Sequence, residues 1–394
     1  MKEWISEPLS KICFMTSGGT PSRRNLEFYK DGTIPWVKSG ELENNVITET
    51  DEYITEAGLD NSSAKIFPKG TLLIALYGAT IGKLAFLGID AATNQAVCGI
   101  FKNDKVDLKY LYYFLLFSRP NLVKQGQGGA QPNISQTILK KLIVPYPMDK
   151  GEQQRIVARI EELFSQLDDA EATLQKTKAQ LALYRQGVLK EAFSFSSSKV
   201  PIRDVSSIVT SGSRGWAQYY SDKGARFIRI TDLTRNGIEL KNDDIQRVYL
   251  PDNVEGKRSR LQTNDVLVSI TADLGSIAII QEYIDEAYIN QHIAMIRFMN
   301  PKQGLFMAWY LKSEYGQKDL LKNKRGNGKM GLGLDDIRDT LVPVVDDEYA
   351  KKVVDAIDSR LSICDFIEKK IEKALSECQT LRRVILQSCF IWEE

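Results

Sequence analysis

The segment Tyr77–Lys83, YGATIGK, is the part of the chain that comes closest to a nucleotide-binding motif. A phosphate-binding P-loop needs an opening glycine and, after its lysine, a serine or threonine that binds magnesium. Tyr77 stands in place of that glycine and Leu84 in place of the hydroxyl residue, so no nucleotide site is expected here. The lone histidine, His292, lies in a strand-like run and is predicted to be structural.

The sequence lacks the other patterns that would carry catalysis. It has no GxGxxG that opens a helix, no Asn/Asp-Pro-Pro-aromatic sequence that would hold an adenine amine for methyl transfer, and no HExxH. Its five cysteines form no CxxC pair and are odd in number, so reduced structural thiols are expected. The missing motifs argue against catalysis and against a zinc site. Scattered acidic residues leave a two-metal nuclease open, but no spaced Asp…Glu-x-Lys cluster stands out.

Polar loops that contain glycine remain as candidates for function. Glutamine and asparagine amides read adenine edges, arginine and lysine read guanine, and glycine lets the backbone approach a phosphate. The loop KNKRGNGK, residues 322–329, has four basic residues and no acidic one, which suits phosphate binding. Ordinary solvated loops are the alternative, but the occurrence of such loops in both halves favours DNA binding. The residues predicted to contact DNA are, in the first half, Ser39, Tyr77, Lys83, Gln127, Gln131 and Asn133, and, in the second half, Arg214, Arg229, Arg235, Lys324, Arg325, Asn327 and Lys329.

Length and charge limit the possible classes of protein. The 394 residues suit two or three domains, and 52 basic against 51 acidic residues exclude a uniformly basic nucleic-acid coat. The apolar stretch Thr71–Ile89 contains Lys83 and a Tyr77-Gly78 break, which favours two short buried strands around a turn over a membrane span. The opening, MKEWISEPLS, has no apolar run typical of a signal peptide, so a cytoplasmic protein is expected.

An internal repeat organises the chain. Segments of the first half recur in the same order in the second half, at separations between 191 and 198 residues. The matching segments are IPWVKSGEL ending at Leu42 with ARFIRITDL ending at Leu233, GTLLIAL from Gly70 with DVLVSIT from Asp265, Asn94-Gln95 with Asn290-Gln291, and Ile143-Val144-Pro145 with Leu341-Val342-Pro343.

Each half ends in a long proline-free stretch with apolar residues at alternating steps of four and three. This period predicts a coiled-coil helix of about 42 residues, or about 63 Å. The economical arrangement pairs the two helices with each other; pairing with another protein or with a second copy is the alternative. The predicted contact positions are Ile156, Ile160, Leu163, Leu167, Ala170, Leu174, Thr177, Leu181, Tyr184 and Val188 in the first helix, and Val353, Ile357, Arg360, Cys364, Ile367, Ile371, Ala374, Cys378, Leu381 and Ile385 in the second.

The segment before each long helix alternates short apolar runs with Gly, Asn, Asp and Pro, which is typical of strands and turns. The runs Lys109–Ser118 and Leu305–Ser313 each predict one buried helix. The predicted fold is therefore a mixed α/β protein with two pseudo-repeated globules and two long antiparallel coiled-coil helices. The predicted domains are residues 1–148 and 194–346 for the globules, and residues 149–193 and 347–394 for the helices.

The stretch EQQRIVARIEELFSQLDDAEATLQKTKAQLALYRQGVLKEAF, residues 152–193, resembles the central conserved region of the specificity subunits of type I restriction-modification enzymes. GGTPS from Gly18 and NISQTILKKLIVPYP from Asn133 are similar to the start and the exit of that family's first target-recognition domain. The second half departs more from the family, because it has GLGLDDIRDTLVPVV and EYAKKVVDAIDSRL in place of the family's usual sequences.

The resemblance implies a non-catalytic subunit with two target-recognition domains. Each domain would read one half of a bipartite, asymmetric sequence in double-stranded DNA, and the helices would set the gap. Two methyltransferase subunits would bind the long helices and methylate adenine with S-adenosylmethionine, and two motor-nuclease subunits would add ATP- and magnesium-dependent translocation and cutting. Those cofactors are expected on the partner subunits, and no membrane is involved.

Three other functions remain open from the sequence. A fused methyltransferase or nuclease is disfavoured by the missing motifs, and a pure assembly scaffold would use the same loops to touch protein. The specificity chain of another restriction-methylation class would have a similar sequence.

Overall fold

The computed structural model describes residues 4–126, 133–250, 257–281, 286–322 and 331–390. The chain divides into two compact units, Met1–Ala172 with Ala374–Glu394, and Thr173–Lys373. Six residues predicted to contact DNA lie outside the described residues: Gln127, Gln131, Lys324, Arg325, Asn327 and Lys329.

The first globule is built on short β-strands. They are β1 (Trp4–Pro8), β2 (Met15–Ser17), β3 (Ile34–Val37), β4 (Asn45–Ile47), β5 (Tyr53–Ile54), β6 (Ile66–Phe67), β7 (Leu72–Ala75), β8 (Leu84–Leu87), β9 (Ala91–Thr93), β10 (Val97–Ile100) and β11 (Ile143–Pro147). One sheet has the order β2-β10-β7-β8-β4, a second has the order β5-β3-β9-β6, and β1 pairs with β11. β7 and β8 pair antiparallel and are almost wholly buried, which confirms the two short strands predicted between Thr71 and Ile89.

Helices cover these sheets and lead out of the globule. They are α1 (Leu9–Ile12), α2 (Glu56–Asp60), α3 (Leu108–Gln125), α4 (Gln136–Lys141) and the long α5 (Lys150–Ala192). α3 is the helix predicted near Lys109–Ser118, and it extends past Pro120. The Asp107 carboxylate caps its start by accepting hydrogen bonds from the backbone N–H groups of Lys109 and Tyr110.

The second globule repeats this plan. Its strands are β12 (Lys199–Pro201), β13 (Ser206–Ser211), β14 (Tyr220–Ser221), β15 (Ala225–Ile228), β16 (Arg247–Val248), β17 (Val266–Ser269), β18 (Ile277–Ile279), β19 (Ala287–Ile289), β20 (Ile293–Phe298) and β21 (Leu341–Pro343). Its helices are α6 (Ile202–Val205), α7 (Gly304–Lys312), α8 (Glu314–Leu320), α9 (Leu334–Arg338) and the long α10 (Asp347–Phe390). The sheet orders are β13-β20-β17-β18 and β14-β16-β15-β19, with β12 paired to β21.

The pairing of strands follows the sequence repeat. β3 runs parallel to β9 in the first globule, and β15 runs parallel to β19 in the second. A parallel pair needs a crossover connection, so this shared feature is stronger support for a common fold than a shared hairpin would be. The predicted mixed α/β fold with two repeated globules is confirmed.

The two long helices, of 43 and 44 residues, run antiparallel where they pair. Within the second unit, Arg185 of α5 contacts Asp365 and Glu368 of α10, at 2.5 and 3.1 Å. Within the first unit, Arg382 of α10 contacts Asp168 and Glu171 of α5, at 2.5 and 3.4 Å. We call these two groups the arginine clamps. Their members correspond one to one at a separation of 197 residues.

The clamps correct part of the predicted helix contact. Leu381 of α10 and Ala170 and Tyr184 of α5 were predicted to face the partner helix, but all three are exposed. Arg360 is also exposed, yet it contacts the partner helix as predicted, through an ion pair with Glu191 of α5 at 2.6 Å. The partly buried Arg382 and Arg185 take the place of Leu381 and Tyr184. The spacing of apolar residues selects Tyr184 and Leu381. In the structure, the arginine that follows each of them contacts two carboxylates on the partner helix.

Each globule also binds a phenylalanine from the end of a long helix. In the first unit, Phe390 at the end of α10 packs against Tyr110, Phe114 and Phe117 of α3, with ring centroids 5.3 to 5.8 Å apart. In the second unit, Phe193 just after α5 packs against Phe306 and Tyr310 of α7, at 5.4 and 5.5 Å. The Phe390 and Phe117 rings are stacked, whereas the other pairs pack edge to face, and both arrangements add to the burial of the rings. We call these two sites the aromatic sockets.

Candidate nucleic-acid interface

In the first globule, the loops that follow β3 and β7 are held to the backbone of Asn94 and Ala96. The Asn94 N–H donates to the carbonyl of Val37 at 3.0 Å, and the Leu76 N–H donates to the carbonyl of Ala96 at 2.7 Å. The ends of β3 and β7 are thereby tied to the turn between β9 and β10. We call this group the first loop cluster, and it comprises residues 17–20, 38–41, 76–83 and 94–96.

Glycine makes the close packing of this cluster possible. A Cβ atom on Gly18 would lie 2.0 Å from the Thr93 carbonyl oxygen, and one on Gly19 would lie 2.3 Å from the Ala64 nitrogen. Both distances are far below van der Waals contact. The GG of the sequence TSGGTPS is therefore required by the approach of one backbone to another.

A capped turn follows β3 and positions charged side chains. The Lys38 N–H donates to Glu41 Oε1 at 2.8 Å, and the Thr80 hydroxyl donates to the Ser39 carbonyl at 2.5 Å. Lys38 Nζ lies 2.8 Å from Glu52, whose carboxylate raises the pKa of Lys38, while Lys38 lowers the pKa of Glu52. Both groups therefore stay charged over the neutral pH range.

The second globule has the equivalent arrangement around Asn290, Gln291 and His292. The Asn290 N–H donates to the carbonyl of Ile228 at 3.0 Å, and the Ile270 N–H donates to the carbonyl of His292 at 2.9 Å. Gly212 packs so closely that a Cβ atom would lie 1.9 Å from the Ile289 carbonyl oxygen. We call this group the second loop cluster, and it comprises residues 211–215, 229–235, 271–276 and 290–292.

A lysine lies beneath the second loop cluster. Lys312 of α7 donates to the Thr234 carbonyl at 3.3 Å, and burial lowers its pKa to about 8. This lysine keeps a substantial neutral fraction near pH 8 and supports the loop from inside the globule.

The structure brings four of the predicted residues of the first half into one place. Ser39 and Tyr77 belong to the first loop cluster, and Tyr77 forms an isolated β-bridge with Asn133, the first described residue after the gap at 127–132. Lys83 is partly exposed and lies 3.5 Å from Glu43. Their selection as DNA-contacting residues stays a prediction.

The described candidates of the second half differ in how far their charges are already paired. Arg229 contacts Asp232 and Asp244 at 3.3 and 3.0 Å. Arg235 makes a two-point contact with Asp273. Arg214 is exposed and has no ion pair among the described residues. Arg214 is therefore the arginine of the three that is most available to a ligand.

Sequence reasoning missed the central position of Gln95 and Gln291. Both glutamines follow an asparagine in the innermost loop of their clusters, and both have side chains that reach a polar neighbour: Thr20 contacts Gln95, and His292 contacts Gln291. The repeated Asn-Gln pair was the available signal, since it recurs at a separation of 196 residues. In the sequence, the pair indicates the repeat but not a DNA-binding site.

No group of His, Cys, Asp and Glu side chains in the described part of the chain could hold a metal ion. No helix among those residues is long and apolar enough to cross a membrane.

The chain belongs to the family of type I restriction modification DNA specificity domains. The family model matches residues 1–180 and again residues 199–377, so each half of the repeat is one copy of the domain. The class of protein defined by this match is the specificity subunit of a type I restriction-modification system.

Curated relatives of this class come from several organisms. The chain is 28% identical over 160 residues to the EcoR124I/EcoR124II specificity subunit of Escherichia coli, an alignment that spans 39% of each chain. It is 22% identical over 426 residues to the EcoBI specificity subunit of Escherichia coli, which covers 98% of this chain and 85% of the relative. The StySPI specificity subunit of Salmonella potsdam is 22% identical over 98% of this chain and 88% of its own length.

Solved structures support the same fold. A chain from a type I restriction-modification complex, studied for its assembly and conformational transition, aligns with a TM-score of 0.78 at 17% identity, over 98% of this chain and 97% of that one. The HsdS subunit from Thermoanaerobacter tengcongensis aligns with a TM-score of 0.58 at 18% identity, over 98% and 96%.

Proposed function

We propose that this protein gives a type I restriction-modification enzyme its DNA sequence specificity. Each loop cluster reads one half of a bipartite, asymmetric site in double-stranded DNA, and the paired helices set the unread gap. The observation that carries this proposal is the presence of two equivalent clusters of polar loops, one in each globule of a single chain. Two non-identical readers in one chain fit two different half-sites.

The chain itself is proposed to be non-catalytic. The P-loop-like segment Tyr77–Lys83 forms part of the first loop cluster, where Tyr77 pairs with Asn133 and Thr80 bonds to Ser39. These interactions give the segment a structural use that needs no nucleotide. S-adenosylmethionine, ATP and magnesium would bind to partner subunits, and the complex would act on DNA in the cytoplasm.

The partners proposed for the long helices are two methyltransferase subunits, with two motor-nuclease subunits in the complete enzyme. Large apolar side chains stay exposed on both helices, which supports docking of another protein there. Within the second unit they include Leu183 and Tyr184 of α5 and Ile363 and Phe366 of α10. Phe366 is 62% exposed, although a ring of that size usually lies in a core.

A comparison of DNA methylation in the source cell with and without this gene tests the proposed function. We expect adenine methylation to disappear at one split, asymmetric motif and to return when the gene is restored. Single-molecule sequencing gives the motif, and therefore both half-sites and the gap, in the same measurement.

A matched control is a strain whose chain carries a stop codon after the first globule. It should lose the same methylation while other methylated motifs stay unchanged. An unaltered methylome in the deletion strain, with the methyltransferase partner produced, would contradict the proposed function.

A further inference from the structure

The side chain of Gln291 in the second loop cluster contacts the ring of His292. Its amide nitrogen lies 2.9 Å from Nε2 of His292, and the Thr271 hydroxyl lies 2.6 Å from Nδ1 of the same ring. The imidazole is thus held on both of its nitrogens between two neighbouring side chains.

This contact fixes the role of each group. An amide nitrogen only donates, so the Gln291 amide donates to His292 Nε2, which must accept. The proton of the neutral ring is then on Nδ1, which donates to the Thr271 oxygen. One N–H and the carbonyl oxygen of the Gln291 amide remain, and neither has a hydrogen-bond partner among the described residues.

The backbone beneath Gln291 is anchored on several sides. Asn290 bonds to the end of β15 and forms an isolated bridge with Ser213, and its side-chain oxygen accepts from the His292 N–H at 3.1 Å. Thr271 forms a second bridge with Gly331. An amide on so fixed a base has little freedom left to lose when it binds, which is the requirement for a selective contact.

A free N–H beside a free carbonyl oxygen is the pattern that pairs with adenine in the major groove. The N–H donates to adenine N7, and the carbonyl accepts from the adenine amino group. We propose that Gln291 reads an adenine in the half-site of the second globule, with His292 as the residue that positions its amide. This proposal rests on the proposed function and names the reading residue within it.

The first globule supplies an internal comparison. Gln95 occupies the equivalent position, but Ala96 stands where His292 would be, and the Gln95 carbonyl oxygen accepts from Thr20 instead. The Gln95 amide therefore keeps both N–H groups and one lone pair of its oxygen, whereas the Gln291 amide keeps one N–H and both lone pairs. The two clusters thus offer different hydrogen-bonding patterns from the same residue type.

The test is a selection with the complete methyltransferase complex after the methylome has given the motif. The duplex library keeps the first half-site and the gap fixed and randomises the second half-site. For Gln291→Met, which keeps the size of the side chain but loses both polar groups, we expect selectivity for one adenine to fall about 10- to 100-fold. Preferences at the other positions of that half-site should stay as in the unaltered complex.

Two variants of His292 test whether this residue positions the Gln291 amide or only supports the fold. His292→Leu should reduce selectivity at the same adenine as Gln291→Met. His292→Gln, which keeps an acceptor near the position of Nε2, should restore most of it. Gln95→Met is the matched control, because it should leave every preference in the second half-site unchanged.

Each contrary result has a distinct meaning. Unchanged preferences in Gln291→Met would overturn the assignment of Gln291 while leaving the proposed function intact. Loss of preference at every position of the second half-site at once would show a merely structural role and would also overturn it. Absence of any split motif with the unaltered chain would overturn both proposals.

Discussion

At the scale of the residue, Gly18 and Gly212 decide how closely the loops of each cluster can approach one another. Each glycine lies against the backbone that precedes the Asn-Gln pair, and a Cβ atom there would overlap a carbonyl oxygen. Substitution of the glycine changes the positions of the loops without removing any polar side chain. The effect of loop position can therefore be measured separately from the effect of the polar groups.

Gly18→Ala is expected to destabilise the first globule by about 1–3 kcal/mol, because the added methyl group forces the two backbones apart. Calorimetric melting of the full chain measures the change. The same variant should weaken binding to the first half-site and leave the preferences of the second half-site unaltered.

Gly40→Ala is the matched control for this prediction. Gly40 belongs to the same loop cluster, yet a Cβ atom there would have no neighbour within 4 Å. Its effect on stability should stay within about 0.5 kcal/mol. Equal destabilisation by both variants would show that the close approach at Gly18 is not responsible.

The sequence predicted polar loops that contain glycine between strands, but it did not predict the individual contacts of their side chains. The loops carrying Ser39 and Tyr77 meet in the first globule, and the loop carrying Arg229 belongs to the equivalent cluster of the second globule. The two partners of Arg229 could not be predicted, because Asp244 reaches it from a loop 15 residues further along the chain. The contact between Gln291 and His292 depends on where β20 begins. Sequence patterns locate the ends of strands only approximately.

At the scale of the element, the arginine clamps hold α5 against α10 at two places. In the clamp of the first unit, Arg382 also lies over the Phe164 ring, with its guanidinium carbon 5.2 Å from the ring centre. A guanidinium that meets two carboxylates and an aromatic face is better placed than an isolated surface ion pair.

Arg382→Ala should therefore cost about 1–2 kcal/mol of stability, which combines the ion pairs with the cation–π contact. Urea unfolding followed by circular dichroism at 222 nm measures the effect, and added salt should reduce it.

The neighbouring Arg383 provides the comparison. It is exposed on α10, and its side chain contacts Thr380 of its own helix. Arg383→Ala should change stability by less than about 0.5 kcal/mol. Equal destabilisation by the two variants would show that the contacts of the clamp do not account for the loss.

The long helices were the elements most fully predicted from the sequence, because a heptad period sustained over many turns is specific to coiled-coil helices. Predicted contact positions such as Ile357, Cys364 and Ile371 are buried as expected. The prediction at Leu381 was wrong, since a hydropathy pattern does not anticipate that the neighbouring Arg382 faces the partner helix instead.

At the scale of the whole molecule, the proposed function makes the length of the helix pair a measure of the gap in the DNA site. A heptad added to both helices preserves the contact pattern and lengthens the pair by about 10 Å. At about 3.4 Å per base pair, this corresponds to about three base pairs.

We expect a chain with seven extra residues after Leu174 and seven after Leu375 to methylate a motif whose gap is about three base pairs longer. Both half-sites should stay the same, because neither loop cluster is altered. The methylome of a strain that carries only this variant shows the result.

An insertion in one helix alone is the control, because it moves one arginine clamp out of register with the other. That variant should lose methylation. A double insertion that retained the original gap would refute the role of the helices as a ruler.

The repeat made the overall plan predictable, since four matched segments in one order imply two copies of one fold. The parallel pairs β3–β9 and β15–β19 were not predicted, because their partners are far apart in the sequence and their strands are only three or four residues long.

The aromatic socket of the first unit has a consequence for how the protein is made. Phe390 fills a site among Tyr110, Phe114 and Phe117, although the ribosome adds it more than 270 residues after those rings. During synthesis, the first globule therefore lacks the Phe390 ring in its aromatic socket until the second globule has been translated. A chain translated from an mRNA truncated before codon 390 would lack Phe390. Its first globule would then expose the apolar rings of the socket to proteases that degrade incomplete chains.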